Sequence, residues 1–219
     1  MSMNDSPVTT AVRQRVRFRF RKEGDLRLIS HKDLVRAWER LFRRAGLPLG
    51  MSEGFHPKPR MSFPLALAVG VAGLNEVMEL ELCEEMTAEA LISAMTPHLP
   101  PGLVLSDIAV LPPGTKKAQA RRAVYEVAVP ENRRADADAA IARLLAAETC
   151  VMAREAGKAP LDIRPLIDGL SLSNGILEIA ALVTPTGSAR PREVLAALSL
   201  ADLEELGYQV TRSTVEVES

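Results

Sequence analysis

Cysteine, histidine and aromatic residues are scarce in this 219-residue chain, and each scarcity closes off a class of function. Two isolated cysteines, Cys83 and Cys150, and three histidines cannot ligate an iron–sulfur cluster without help, and they compose no convincing zinc site. Both cysteines lie in apolar stretches and read as buried thiols rather than a disulfide. Aromatics make up 4% of the chain, too few for a sheet that recognises RNA by stacking bases on surface rings. No apolar run approaches the ~20 residues that cross a bilayer. The first ten residues are polar and carry no signal-peptide apolar core, so residues 1–12 read as a disordered leader of a cytoplasmic protein. Net charge is also nearly absent, at −1.

That neutrality hides a strong asymmetry. Fourteen of the 27 basic residues fall between Arg13 and Arg60, where only five residues are acidic. A segment of about +9 in a neutral chain is suited to meet something anionic. Within it, Arg15, Arg17, Arg19 and Arg21 alternate with Val16, Phe18 and Phe20. A period of two puts the arginines on one strand face and the apolar residues on the other.

Punctuation and periodicity divide the rest. Ser30 and Asp33 have helix-capping spacing, and Gly46 and Pro48 end that helix near Ala45. Its apolar stripe is Leu34, Trp38, Leu41 and Ala45, and Lys32, Arg36, Arg40 and Arg43 line the opposite side. A short strand is expected over residues 47–53. Residues 76–83 form a strand with Met78, Leu80 and Leu82 inward and Glu79 and Glu81 outward. A helix follows over 87–97 and a strand over 103–111. Pro112-Pro113-Gly114 opens a linker over 112–122. The order then recurs: strands over 124–129, 149–154, 161–167, 176–183 and 208–217, helices over 133–147 and 191–200, and an Asn174-Gly175 hairpin signal. These readings predict an α+β protein of tandem ferredoxin-like (βαββαβ) domains, over 13–111 and 123–219, each with helices on one face of an antiparallel sheet.

Four constellations carry candidate chemistry. Arg17 and Arg19, projecting from the open face of a central first strand, would grip phosphates, unless Glu79 and Glu81 on a neighbouring strand neutralise them. Ser30 and His31 open the first helix, where N–H groups aim at anions and a histidine can serve as a base. Arg40, Arg43 and Arg44 extend the basic surface along that helix. Gly54, Phe55, His56, Lys58, Arg60 and Ser62 share a loop in which Pro57 and Pro59 restrain the backbone around ligand-binding groups. A weaker secondary anion site is expected at Arg164 and Arg190. No metal site is expected.

Lys22-x-Gly24, Ser30-His31-x-Asp33, Arg43-Arg44-Ala45-Gly46-x-Pro48, Ser52-x-Gly54-Phe55-x-Pro57-x-Pro59 and Leu67-x-Val69-Gly70 together resemble the radical SAM-linked family that carries a DUF2344 domain. Asp162-Ile163-Arg164-Pro165 and Arg190-Pro191 also fit it. The family commonly has leucine where Lys32 stands and asparagine where His56 stands, which leaves His31 the better catalytic candidate. Its members occur beside, or fused to, B12-binding radical SAM proteins. The resemblance therefore implies a partner holding the iron–sulfur cluster, S-adenosylmethionine and cobalamin, with no cofactor in this chain.

The reading that results is a non-catalytic accessory protein, binding an anionic substrate such as tRNA or rRNA for a B12/radical SAM enzyme. Two alternatives stand beside it. One is a metal-independent RNA endonuclease like the tandem ferredoxin-like CRISPR nucleases, with His31 as its base. The other is a protein-interaction module whose basic strip docks on an acidic surface of the radical SAM partner.

Overall fold

The computed structural model describes residues 14–154 and 159–219. The expected leader lies outside them, as does Arg13, the first residue of the expected basic domain. The described chain is mixed α+β: one large, mostly antiparallel sheet and four α-helices.

The first half runs β1 (Gln14–Lys22), α1 (His31–Arg44), β2 (Met61–Ser62), β3 (Ala72–Leu82), α2 (Ala88–Met95) and β4 (Leu103–Leu111). β1 lies between β3 and β4, antiparallel to both. Its alternation separates the faces as expected: Val16, Phe18 and Phe20 are fully buried, against Trp38 and Phe42 of α1. Ser30 caps α1 by accepting from the Asp33 backbone N–H at 3.2 Å, and its hydroxyl donates to the Asp33 carboxylate. Thr87 caps α2 in the same way, accepting from the Ala90 N–H.

The second half runs β5 (Gln119–Ala128), α3 (Glu131–Ala146), β6 (Val151–Met152), β7 (Leu161–Asp162), β8 (Ile167–Ser173), β9 (Ile176–Thr184), β10 (Gly187–Ser188), α4 (Pro191–Ala197) and β11 (Thr211–Glu218). Asn174 and Gly175 both take positive φ in the β8–β9 hairpin, as an Asn-Gly turn requires. Several bounds differ from the sequence reading. β5 begins at Gln119, so the last residues expected in the linker are strand. The strands expected over 149–154 and 161–167 shrink to β6 and β7, two residues each, which pair in a small separate sheet. Pro165 turns the chain through a 3₁₀ helix before β8. The strand expected over 47–53 reduces to two isolated bridges, Leu49 with Leu82 and Met51 with Pro59. Cys83 and Cys150 are both free and half-buried rather than buried.

The main sheet runs β10-β9-β5-β11-β3-β1-β4, with β2 added on β3 and β8 on β9. The halves therefore meet inside one sheet, where β11 pairs parallel to β3 through Thr211 with Ala72 and Arg212 with Gly73. Two apolar cores follow. In one, α1 and α2 cover Val16, Phe18, Phe20, Met78, Leu80 and Leu82. In the other, α3 and α4 cover Ala123, Tyr125, Val127, Leu177 and Ile179, together with Leu67 and Val71 from the first half.

Because β4 and β5 are separated by β1, β3 and β11, residues 112–118 must cross the sheet. They cross on the face opposite the helices. There the Thr115 carbonyl accepts from Arg15, and the Ala118 N–H donates to Glu79.

Candidate nucleic-acid interface

The crossing changes the meaning of the arginine stripe. Arg17 donates through Nε and Nη2 to Glu79 at 3.1 and 2.7 Å, a two-pronged pair with the Glu79 side chain 2% exposed. Arg15 leans on Glu81 at 3.5 Å. Arg19 donates to the Val215 carbonyl at 3.0 Å and to Asn75 at 3.2 Å. Burial first, then the neighbouring Arg17, lowers the Arg19 pKa against the pull of Asp107 and Glu76. The expected open row of unneutralised guanidinium groups is thus corrected. Glu79 and Glu81, expected outward towards water, are buried instead. The register places each beside an arginine, Glu79 across from Arg17 and Glu81 across from Arg15, and residues 112–118 pass over both.

The free positive charge lies on α1. Leu34, Ala37, Trp38, Leu41 and Phe42 face the core, which turns Lys32, Arg36, Arg40, Arg43 and Arg44 to solvent. Arg36 pairs with Asp33 at 3.1 Å. Lys32, Arg40 and Arg44 make no ion pair among the described residues. Arg43 only folds back on the Glu39 carbonyl at 3.3 Å.

At the start of α1, His31 stacks edge-on against Phe63 at 5.1 Å between ring centroids. Desolvation and the nearby Lys22 ammonium hold its pKa below the ordinary histidine value, which favours the neutral ring. Lys22 is fully buried, with Nζ donating to the carbonyls of Ile29 at 3.1 Å and Arg27 at 3.4 Å. Desolvation and Arg212 lower its pKa, partly opposed by Glu76.

At the other end of the helix, the chain leaves the sheet as a narrow excursion. The Ser52 N–H donates to the Lys58 carbonyl and the Lys58 N–H to Ser52 Oγ, at 2.8 and 3.0 Å, closing a loop. Gly54 turns it at φ +112°, a conformation L-residues rarely adopt. The tip carries Phe55 fully exposed, beside exposed His56 and Lys58. The ring stands wholly in water on a closed, proline-restrained loop and contributes nothing to the apolar core. Arg60 and Ser62, past the loop, turn back toward β3: Ser62 pairs with Glu79 in the ladder, and Arg60 lies 3.7 Å from both Glu53 and Glu81. The structure therefore divides the candidates. Ser30 and His31 lie a full helix length, about 20 Å at 1.5 Å per residue, from Arg43 and Arg44.

Residues 15–192 match the model of a family described as an uncharacterized protein conserved in bacteria, DUF2344. The chain belongs to the DUF2344 family. No curated protein matches it. Among solved structures it is similar to the small subunit of acetolactate synthase from Thermotoga maritima, at 9% identity over 94% of this chain and 97% of that one. The TM-score is 0.26, too low to support any argument from that likeness.

The stretch matched to DUF2344 also contains the second-half arginines Arg164 and Arg190. Arg164 turns inward, donating to the carbonyls of Leu145 at 2.8 Å and Ile167 at 3.4 Å. Arg190 occupies the N-cap position of α4, its backbone N–H donating to Glu193. Among the described residues of this DUF2344 protein no group of three His, Cys, Asp or Glu side chains is placed to hold a metal ion. None of its described helices is long and apolar enough to cross a membrane.

Sequence reasoning missed a buried ion pair of this DUF2344 chain. Arg212 and Glu76, 1% and 4% exposed, form a two-pronged pair, and Arg212 also donates to the carbonyls of Leu65 and Ala66 at 3.0 and 3.1 Å. Burial works against the Arg212 charge, but Glu76 and then Tyr125 outweigh it and hold its pKa above the ordinary guanidinium value. The signal was available. Lys22 continues the inward register of Val16, Phe18 and Phe20, and Glu76 continues that of Met78, Leu80 and Leu82, so two opposite charges stood on the core face.

Proposed function

We propose that this DUF2344 protein is a non-catalytic accessory protein that binds RNA, tRNA or rRNA, as the substrate of a B12-dependent radical SAM partner. The binding surface runs along the outer face of α1, through Arg40, Arg43 and Arg44, to the loop carrying Phe55 and Lys58. The observation that carries the reading is the solvent face of α1. Five cations stand there against Asp33 and Glu39, and Lys32, Arg40 and Arg44 form no ion pair among the described residues. Phosphates would take those charges, and one unstacked base would lie on Phe55. Arg17 and Arg19 drop to a supporting role because their donors are already engaged.

The scaffold for this surface is a pair of ferredoxin-like units. In support, the strand order is β4-β1-β3-β2 in the first half and β11-β5-β9-β8 in the second, the same fourth-first-third-second arrangement twice.

A second reading is metal-independent RNA cleavage with His31 as base. It is favoured by the neutral His31 ring held against Phe63.

The test is binding of total tRNA by the full chain across salt. A log–log slope of about −0.7 per neutralised single-strand phosphate is expected, shallower by roughly that amount for each phosphate that R40E/R44E leaves unneutralised. Affinity indifferent to salt, or unchanged in the double variant, refutes the reading. Cleavage of the RNA that H31A abolishes selects the second one.

A further inference from the structure

The face crossed by residues 112–118 holds a cleft of about 230 Å³, lined by Arg15, Arg60, Ser62, Glu79, Glu81 and Lys117. It lies away from the α1 surface and needs a separate account. Its ion pairs are long, although Arg15 also donates through Nη1 to the Thr115 carbonyl at 2.7 Å. Arg15 reaches Glu81 only at 3.5 Å, and Arg60 reaches Glu81 and Glu53 only at 3.7 Å, beyond the 2.7–2.9 Å of a well-formed charged hydrogen bond. By contrast Arg17, just outside the cleft, holds Glu79 at 2.7 Å. Arg15 Nε is a buried N–H with no acceptor at all. Lys117 is exposed and has no partner among the described residues.

Charge is also unbalanced in the cleft. Glu79 is engaged by Arg17 and by the Ala118 N–H. Glu81, together with Glu53 beside Arg60, then faces Arg15, Arg60 and Lys117, leaving about one positive charge in excess. Buried donors without acceptors are rare in native proteins, since each forfeits a hydrogen bond it had in water. One positive charge in excess, rising to about two once Glu81 is displaced, and the Ser62 hydroxyl in one small concavity, beside the acceptorless Arg15 Nε, describe the missing half of a bound oxyanion. A phosphodiester carries one negative charge. A phosphomonoester or free phosphate carries close to two near neutral pH and offers three or more acceptor oxygens.

We propose that this cleft is a binding site for a phosphomonoester group, gripped by Arg15, Arg60 and Lys117, with Glu81 as a gate that the ligand displaces from the two arginines. This goes beyond the RNA reading and does not depend on it. The 5′ end of a nucleic acid and free phosphate are the two sources of such a group, and both present the same oxygens.

The probe is inorganic phosphate, titrated into the full chain at constant ionic strength against chloride. Binding is read by calorimetry and by the Arg15 Nε–H resonance, which should shift on saturation. Saturable binding is expected, weakened at least ~10-fold in K117M and in R60Q, each of which removes one charged donor. E81Q should bind more tightly than wild type, because it removes the competing carboxylate while keeping its shape. A merely structural role for Glu81 would not produce that sign. Phosphate binding no stronger than chloride, or equal in wild type and K117M, overturns the proposal, as does weaker binding in E81Q that still unfolds like wild type. Two arms then name the source. A 5′-phosphorylated oligoribonucleotide that displaces phosphate better than its 5′-hydroxyl twin assigns a nucleic-acid end. Equal, weak displacement by both assigns free phosphate. If neither oligoribonucleotide binds anywhere while phosphate does, the RNA reading fails and this site stands.

Discussion

Replacing Arg212 with methionine tests whether one buried ion pair joins the two halves of the sheet. Arg212 starts β11 at its parallel pairing with β3, and its guanidinium points entirely inward: two bonds to Glu76, one each to the carbonyls of Leu65 and Ala66. Unit charges ~3 Å apart attract by about 5 kcal/mol at an effective dielectric of 20. Breaking a buried pair from one side typically costs about 3–5 kcal/mol, because the other charge stays buried and unmatched. Two orphaned carbonyls would add about 1 kcal/mol each. Lys22 works the other way, since its ammonium already acts on Glu76 and would offset part of the loss. R212M should therefore destabilise by about 4 kcal/mol, a large share of the roughly 5–15 kcal/mol of a typical domain. Replacing both partners, R212M/E76L, should cost less than either R212M or E76L, since an apolar pair leaves only Lys22 uncompensated. Urea unfolding measures all three. Hydrogen exchange of the Ala72 amide, which donates to the Val210 carbonyl across the seam, reports where the structure opens. A loss under about 1 kcal/mol in R212M, or simple additivity in the double variant, would show that the pair does not hold the seam.

Four further outcomes follow from the same geometry. A Cβ at Gly73 would lie 2.5 Å from Glu76 Cγ and 2.6 Å from its Oε1, so G73A should cost about 1–3 kcal/mol in urea unfolding, and much less when introduced into E76A and measured against E76A alone. An equal cost in both backgrounds would show that Glu76 is not what excludes the methyl group. R17A strips Glu79 of its guanidinium and should destabilise by about 2 kcal/mol, less than a fully buried pair because Arg17 is partly exposed. R40E/R44E should leave stability within about 0.5 kcal/mol while weakening RNA binding; the opposite pattern would return the binding role to the strand. His31, with its folded pKa below the unfolded 6.5, binds fewer protons folded than unfolded as pH falls through 6.5. Stability is thus complete above 6.5 and declines below it, until the folded ring also titrates. H31Q should flatten the stability profile just below pH 6.5, and an unchanged profile would show that His31 is not its source.

Much of the fold was legible because it rests on local pattern. β1 follows the alternation of residues 15–21, and the caps of α1 and α2 follow Ser30 and Thr87. The two-residue strand β2 was not readable, and β6 and β7 were read too long, since strands so short carry no period and exist only where a neighbouring chain segment receives them. At the candidate interface the cationic face of α1 was legible from helical spacing. The neutralisation of the arginine stripe was only half legible: Glu79 and Glu81 were visible as partners, but nothing local showed that residues 112–118 would seal them from water.

The amino-acid sequence alone settled which faces are apolar, where helices begin, and that positive charge gathers in the first quarter, because each depends on residues within a few positions of one another. Only the tertiary structure decided which of those charges stay free. Strand order is a long-range choice, and placing β11 beside β3 sent the β4–β5 connection across the sheet. That crossing buried Glu79 against Arg17, left Arg15 and Lys117 looking into a cleft, and leaves α1 to present the unmatched cations to solvent.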